Sequence, residues 1–155
     1  MMLPYRLLMP LRGTPPWMFS PLISFGRWVS GQKTTEYPLK WFTSFTPPAD
    51  RALIERIGFE KVVQSFSLAL NQGAEAVMTD ADAYFEHWPI DWASYDKRVD
   101  FWHGSEDTNI PCRMARAMCE RLPKGAFHEL KGEGHYSTSV LFQREIFESL
   151  LSEGR

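Results

Sequence analysis

The chain has 155 residues, of which 44% are hydrophobic and 23% charged, values that suit one globular domain or a piece of a larger one and exclude wholesale disorder. Seventeen Lys and Arg stand against 19 Asp and Glu, a formal net charge of −2, so no basic surplus exists to neutralise phosphates and no nucleic-acid partner is expected. Two cysteines exclude a disulfide framework.

Residues 1 to about 48 are rich in Pro, Trp and Phe and weakly periodic, as in Pro15-Pro16-Trp17-Met18-Phe19 and Trp41-Phe42-Thr43-Ser44-Phe45. Such a texture predicts irregular structure or short helices packed on something apolar, with aromatics including Phe25 and Trp28 used mainly in packing. Arg6 and two prolines interrupt the first ten residues, which therefore lack the apolar run of a signal peptide. The stretch from Gly13 to Gly26 holds three prolines and is too short to cross a bilayer. The expectation is a cytoplasmic chain in a reducing compartment, with no membrane partner.

Helical signals begin at Asp50, an N-cap candidate after Pro47-Pro48, with Leu53, Ile54 and Ile57 on one face and Gly58 as a stop. A second helix carries Phe59, Val62, Val63, Phe66 and Leu70 and ends at Asn71-Gln72-Gly73. A third carries Val77, Ala81, Tyr84, Phe85 and Trp88 before Pro89, with His87 near its end.

The texture changes at Lys97. Arg98-Val99-Asp100-Phe101-Trp102-His103 reads as a short strand ending at Gly104. Thr108 and Asn109 are both candidate N-caps for the next helix, Asn109 the better one, with Pro111 in its first turn. Met114, Ala115, Met118 and Leu122 form its apolar face, and Pro123 ends it. Cys112 and Cys119 lie seven apart on that helix, about 10.5 Å along the axis, too far to bond to each other and suited to burial. Ala126-Phe127-His128-Glu129-Leu130 is a second strand, with His128 half-exposed on it. A glycine-bounded loop, Gly132-Glu133-Gly134-His135, then leads into a final amphipathic helix with Val140, Ile146, Phe147, Leu150 and Leu151.

Strand, helix, strand, helix implies parallel strands joined by a right-handed crossover. Ligands bind beyond the carboxyl ends of such strands. Asp107 lies just past the carboxyl end of the first strand and His135 just past that of the second. Parallel neighbours bring both loops to one edge of the sheet. A carboxylate that fixes an imidazole's tautomer, beside that imidazole as general base, makes two thirds of a nucleophilic triad. Gly104 permits a tight exit from the strand, and Gly134 leaves room for the loop carrying His135. His103 is a packing or pocket-lining residue. No cofactor is expected. His103, Asp107 and His135 have metal-ligand chemistry, but no close-spaced ligand motif joins them and no metal is expected.

Phe101-Trp102-His103-Gly104-Ser105-Glu106-Asp107-Thr108-Asn109-Ile110-Pro111, then Leu122-Pro123, then Gly132-Glu133-Gly134-His135-Tyr136, resembles the C-terminal section of the α/β-hydrolase-fold family over residues 97 to 151. The resemblance implies an α/β chain holding part of that fold. Residues 97–155 would be its last strand–helix–strand–helix unit, and residues 1–96 an aromatic-rich helical cap or lid over a small-molecule substrate. It further implies Asp107 as the triad acid and His135 as the triad base. The family's nucleophile elbow, Gly-x-Ser-x-Gly, is absent, as are its glycine-rich oxyanion loop and its earlier strands. Two strands alone are marginal, and the inner one has an open edge. The expectation is a fragment without turnover, from a truncated gene model, a splice product or a pseudogene-like sequence. The alternatives are a non-catalytic interaction module that self-associates through the sheet edge and a small-molecule binder on a hydrolase remnant.

Overall fold

The computed structural model describes residues 15–30, 43–85 and 88–152. The expectations placed on the first ten residues, on Trp41 and Phe42 and on His87 lie outside the described residues. The chain packs as two compact units, one formed by residues 46–53 with 90–152, the other by the remaining described residues.

The second of these units is helical. A 3-10 turn, Pro16–Met18, leads into helix α1, Ser20–Ser30. Helix α2 runs Pro48–Ile57, its residues 48–53 belonging to the first unit and the rest to this one; α3 runs Phe59–Leu70 and α4 Gly73–Phe85. Helix α1 packs on α3 and α4, and Leu70 is buried in this unit. The chain leaves α2 at Gly58 and re-enters a helix at once, as the glycine signal predicts. Trp17, Phe25, Trp28 and Trp88 are exposed, which departs from the expectation that these rings serve packing. Helix α2 begins at Pro48, whose missing N–H costs nothing in a first turn. Asp50 therefore lies inside the helix and is not its N-cap, and its carboxylate is committed elsewhere.

The other unit is mixed α/β. Strand β1, Val99–Gly104, and strand β2, Gly125–Leu130, form a parallel pair in register from Val99↔Gly125 to Gly104↔Leu130. Helix α5, Cys112–Cys119, makes the crossover. It starts at Cys112 with Pro111 as its capping residue, so neither Thr108 nor Asn109 fills that place. The reason lies upstream: the Asp107 carboxylate already accepts the Asn109 and Ile110 N–H groups in a tight turn. The buried stripe is Ala115, Cys119 and Leu122, while Met114 and Met118, expected on that face, are exposed. Cys119 is buried, which pushes its thiol pKa up; Cys112 is only partly so.

The expected final helix is two helices, α6 at His135–Leu141 and α7 at Gln143–Ser152, broken at Phe142. Phe147, Leu150 and Leu151 are exposed along α7, so its apolar face is not buried by the described residues. Among the described residues the sheet has two strands and two outer edges. One face of β1 carries an ionic cluster: Asp100 accepts two bonds from Arg98, at 2.8 and 2.9 Å, and pairs with His128 Nε2 at 2.7 Å. The Arg98 bonds outweigh burial and hold the Asp100 carboxyl below its ordinary range. Trp102 stacks on His128 at 4.2 Å. The half-exposed strand histidine is thus a bonded and stacked one.

Candidate active site

The site stands where β1 and β2 end. After Gly104 the chain turns through Ser105 and Glu106, and Ser105 N–H still bonds Leu130 O at 3.0 Å, so the two exits leave the sheet tied together. Glu106 N–H donates to Glu133 O at 2.9 Å, which ties the Asp107 turn to the loop before His135. Gly104 is required by close approach: a Cβ there would collide with the Glu133 carbonyl and stand 2.6 Å from Gly134 O. The expectation of a tight strand exit becomes a packing contact between β1 and the histidine loop.

Asp107 is buried, with a side chain 3% exposed. Its Oδ1 accepts from Asn109 N at 2.8 Å and Ile110 N at 2.9 Å, and its Oδ2 meets His135 Nδ1 at 2.9 Å. A carboxylate oxygen accepts, so Nδ1 of His135 carries the hydrogen. Neutral His135 then has its lone pair on Nε2. Among the described residues Nε2 has no hydrogen-bond partner, and the side chain is 39% exposed. Burial works against the Asp107 charge, but the His135 bond and the two main-chain N–H groups outweigh it and hold the carboxyl below its ordinary range. The same bond raises His135 above the ordinary 6.5, against desolvation, with help from the charges of Asp107 and Asp50. The pair can hold an imidazole in one tautomer, take a proton at Nε2 and steady the resulting cation.

His103 also reaches this site. Its Nε2 lies 2.8 Å from Ile110 O and 3.4 Å from Asp107 Oδ2. A carbonyl only accepts, so His103 Nε2 donates and braces the turn that carries Asp107. That nitrogen has no lone pair left for a metal, and no group of three or more ligating side chains able to hold one occurs among the described residues.

One residue of the site is given by the sequence to its own helix instead: Asp50. Its side chain is buried, at 1% exposure, and its carboxylate sits against the first turn of α6. Oδ2 accepts His135 N–H at 2.9 Å, and Oδ1 accepts Tyr136 N–H at 3.0 Å and Ser137 N–H at 2.8 Å. Gly134 precedes the helix and has no side chain with which to cap it. Its N–H donates to Ser137 Oγ at 2.7 Å. The room that Gly134 leaves is filled by Asp50, since a Cβ there would collide with that carboxylate. The signal that could have found it is Gly134 itself, which at a helix start leaves the first-turn N–H groups to find an acceptor elsewhere.

Compared with family models, with curated proteins and with solved structures, the chain matches none of them.

Proposed function

We propose that Asp107 and His135 are the acid and base of a nucleophile–histidine–acid triad, and that the chain carries the C-terminal part of an α/β-hydrolase acting on an ester, amide or related small acyl substrate. The single observation that supports this most is the 2.9 Å bond from His135 Nδ1 to Asp107 Oδ2, made by groups that leave neighbouring parallel strands at one edge. In the complete reaction Nε2 takes the proton of the attacking hydroxyl and later gives it to the leaving group, while Asp107 holds the ring and steadies its charge. In that reading residues 1–96 are the aromatic-rich, cap-like region of such an enzyme.

The 155 residues contain no Gly-x-Ser-x-Gly elbow, so turnover by this chain alone is not expected. In a p-nitrophenyl acetate assay, wild type and His135→Ala should show the same background rate. Turnover by the wild type that His135→Ala abolishes would contradict the inactivity. The reading itself is tested by the transcript upstream of the Met1 codon, which should continue in frame through an elbow. Protein made from that longer frame should hydrolyse the ester and lose about 10⁴-fold in kcat on Asp107→Asn. An upstream sequence without an elbow, or a longer protein indifferent to His135→Ala, would overturn the reading.

A second reading, a non-catalytic module that self-associates, is favoured by the outer edge of β1. Val99 N–H bonds towards β2, at Lys124 O, so by strand alternation Asp100 and Trp102 direct their main-chain groups the other way. Such an edge pairs readily with another strand. Size-exclusion chromatography over a concentration series should then show a dimer forming; a monomer throughout argues against it.

A further inference from the structure

We propose that Asp50 is a positioning residue of the site: by capping the first turn of α6 from outside that helix, its carboxylate fixes the main chain of His135 so that the ring meets Asp107. The inference rests on the proposed general-base role of His135, and it concerns a residue 85 positions away in sequence.

A helix opened by Ser, Thr, Asp or Asn satisfies a first-turn donor with its own cap side chain. Helix α6 opens after glycine, and three successive N–H groups, of His135, Tyr136 and Ser137, point at one carboxylate. The first of the three belongs to His135 itself, so the contact acts on the backbone from which the imidazole hangs. Gly134 and Asp50 are complementary in shape, since no side chain fits at 134 while the carboxylate is in place. A charged acceptor serves better than a neutral one, because three aligned N–H groups at a helix start favour negative charge. The charged and titratable groups around the imidazole are Asp107 at Nδ1, Asp50 beneath the helix start, His103 through Asp107, and Tyr136, whose ring meets that of His135 edge-on at 5.5 Å.

The test uses the chain as it is and needs no turnover, so it can fail independently of the hydrolase reading. In the wild type, the amides of His135, Tyr136 and Ser137 should resist hydrogen exchange together, although first-turn amides of a helix ordinarily exchange fast. Asp50→Asn should speed that exchange about 10- to 100-fold. Ring nitrogen NMR should show the hydrogen of neutral His135 partly released from Nδ1, with the His135 titration moved to lower pH. Asp50→Glu, which keeps the charge, should restore part of the Nδ1–H signal. Ser137→Ala, which removes a different polar contact of the same turn, should lower the melting temperature and leave the His135 tautomer in place. Fast exchange of the three wild-type amides would overturn the proposal, and this measurement stands even if Asp50→Asn does not fold. A folded Asp50→Asn with an unchanged tautomer and titration would overturn it equally.

Discussion

Gly104→Ala should destabilise the mixed α/β unit by about 3 kcal/mol or more, lowering its melting temperature by roughly 12–24 °C. The new methyl would point into the Glu133 carbonyl, and that carbonyl cannot yield cheaply because it accepts Glu106 N–H at 2.9 Å. The loop beyond it is held as well, since Gly134 N–H bonds Ser137 Oγ at 2.7 Å and Thr138 Oγ1 bonds Gly134 O at 2.8 Å. The clash is thus backbone against backbone, with no flexible side chain to give way. Gly132→Ala is the matched control. A Cβ there meets nothing within 4 Å, and only the left-handed backbone, φ 79°, penalises it, at about 1–2 kcal/mol. Thermal unfolding of the two variants side by side separates the explanations: equal losses would mean that the contact between β1 and the histidine loop is not tight.

Asp107→Ala should cost about 2–4 kcal/mol, because it leaves two main-chain N–H groups and His135 Nδ1–H without their acceptor. The pH dependence has a definite shape. His135 is raised in the folded chain, so its ionic contribution is complete below the ordinary 6.5 and is lost as pH rises through the raised value. Asp107 is lowered, so its contribution is complete above the ordinary 3.8 and is lost as pH falls through the lowered value. The melting-temperature gap between wild type and Asp107→Asn should therefore be widest at pH values between those two ordinary ones and shrink on both sides. A gap independent of pH would mean that the pair is a neutral hydrogen bond at all pH values.

The parallel strand pair and the meeting of Asp107 with His135 were legible because their signals are local. Phe101-Trp102-His103-Gly104 is an apolar strand with a glycine exit, and Ala126–Leu130 repeats the pattern with its own turn. Once both run parallel, the two loops have nowhere to go but one edge. Asp50 was not legible, because Pro47-Pro48-Ala49-Asp50 is also a good local helix start, and the local reading used up the carboxylate. Its true partners lie at the other end of the chain, where Gly134 leaves a cap unfilled. The split at Phe142 was hidden for a similar reason, since the apolar spacing from Val140 to Leu151 suits one continuous helix. Periodicity also places Met114 and Met118 on the buried face of α5, whereas Ala115, Cys119 and Leu122 form a narrower stripe that the two methionines flank.

The most direct test of the acid–base pair is a titration of the His135 imidazole by nitrogen-detected NMR, in the wild type and in Asp107→Asn. Wild-type His135 should titrate above the ordinary 6.5 with its neutral hydrogen on Nδ1, and the Asp107→Asn ring should titrate lower. A wild-type His135 that titrates at or below the ordinary value, with its hydrogen on Nε2, would contradict the acid–base pair, because the ring nitrogen facing outward would then have no lone pair with which to take a proton.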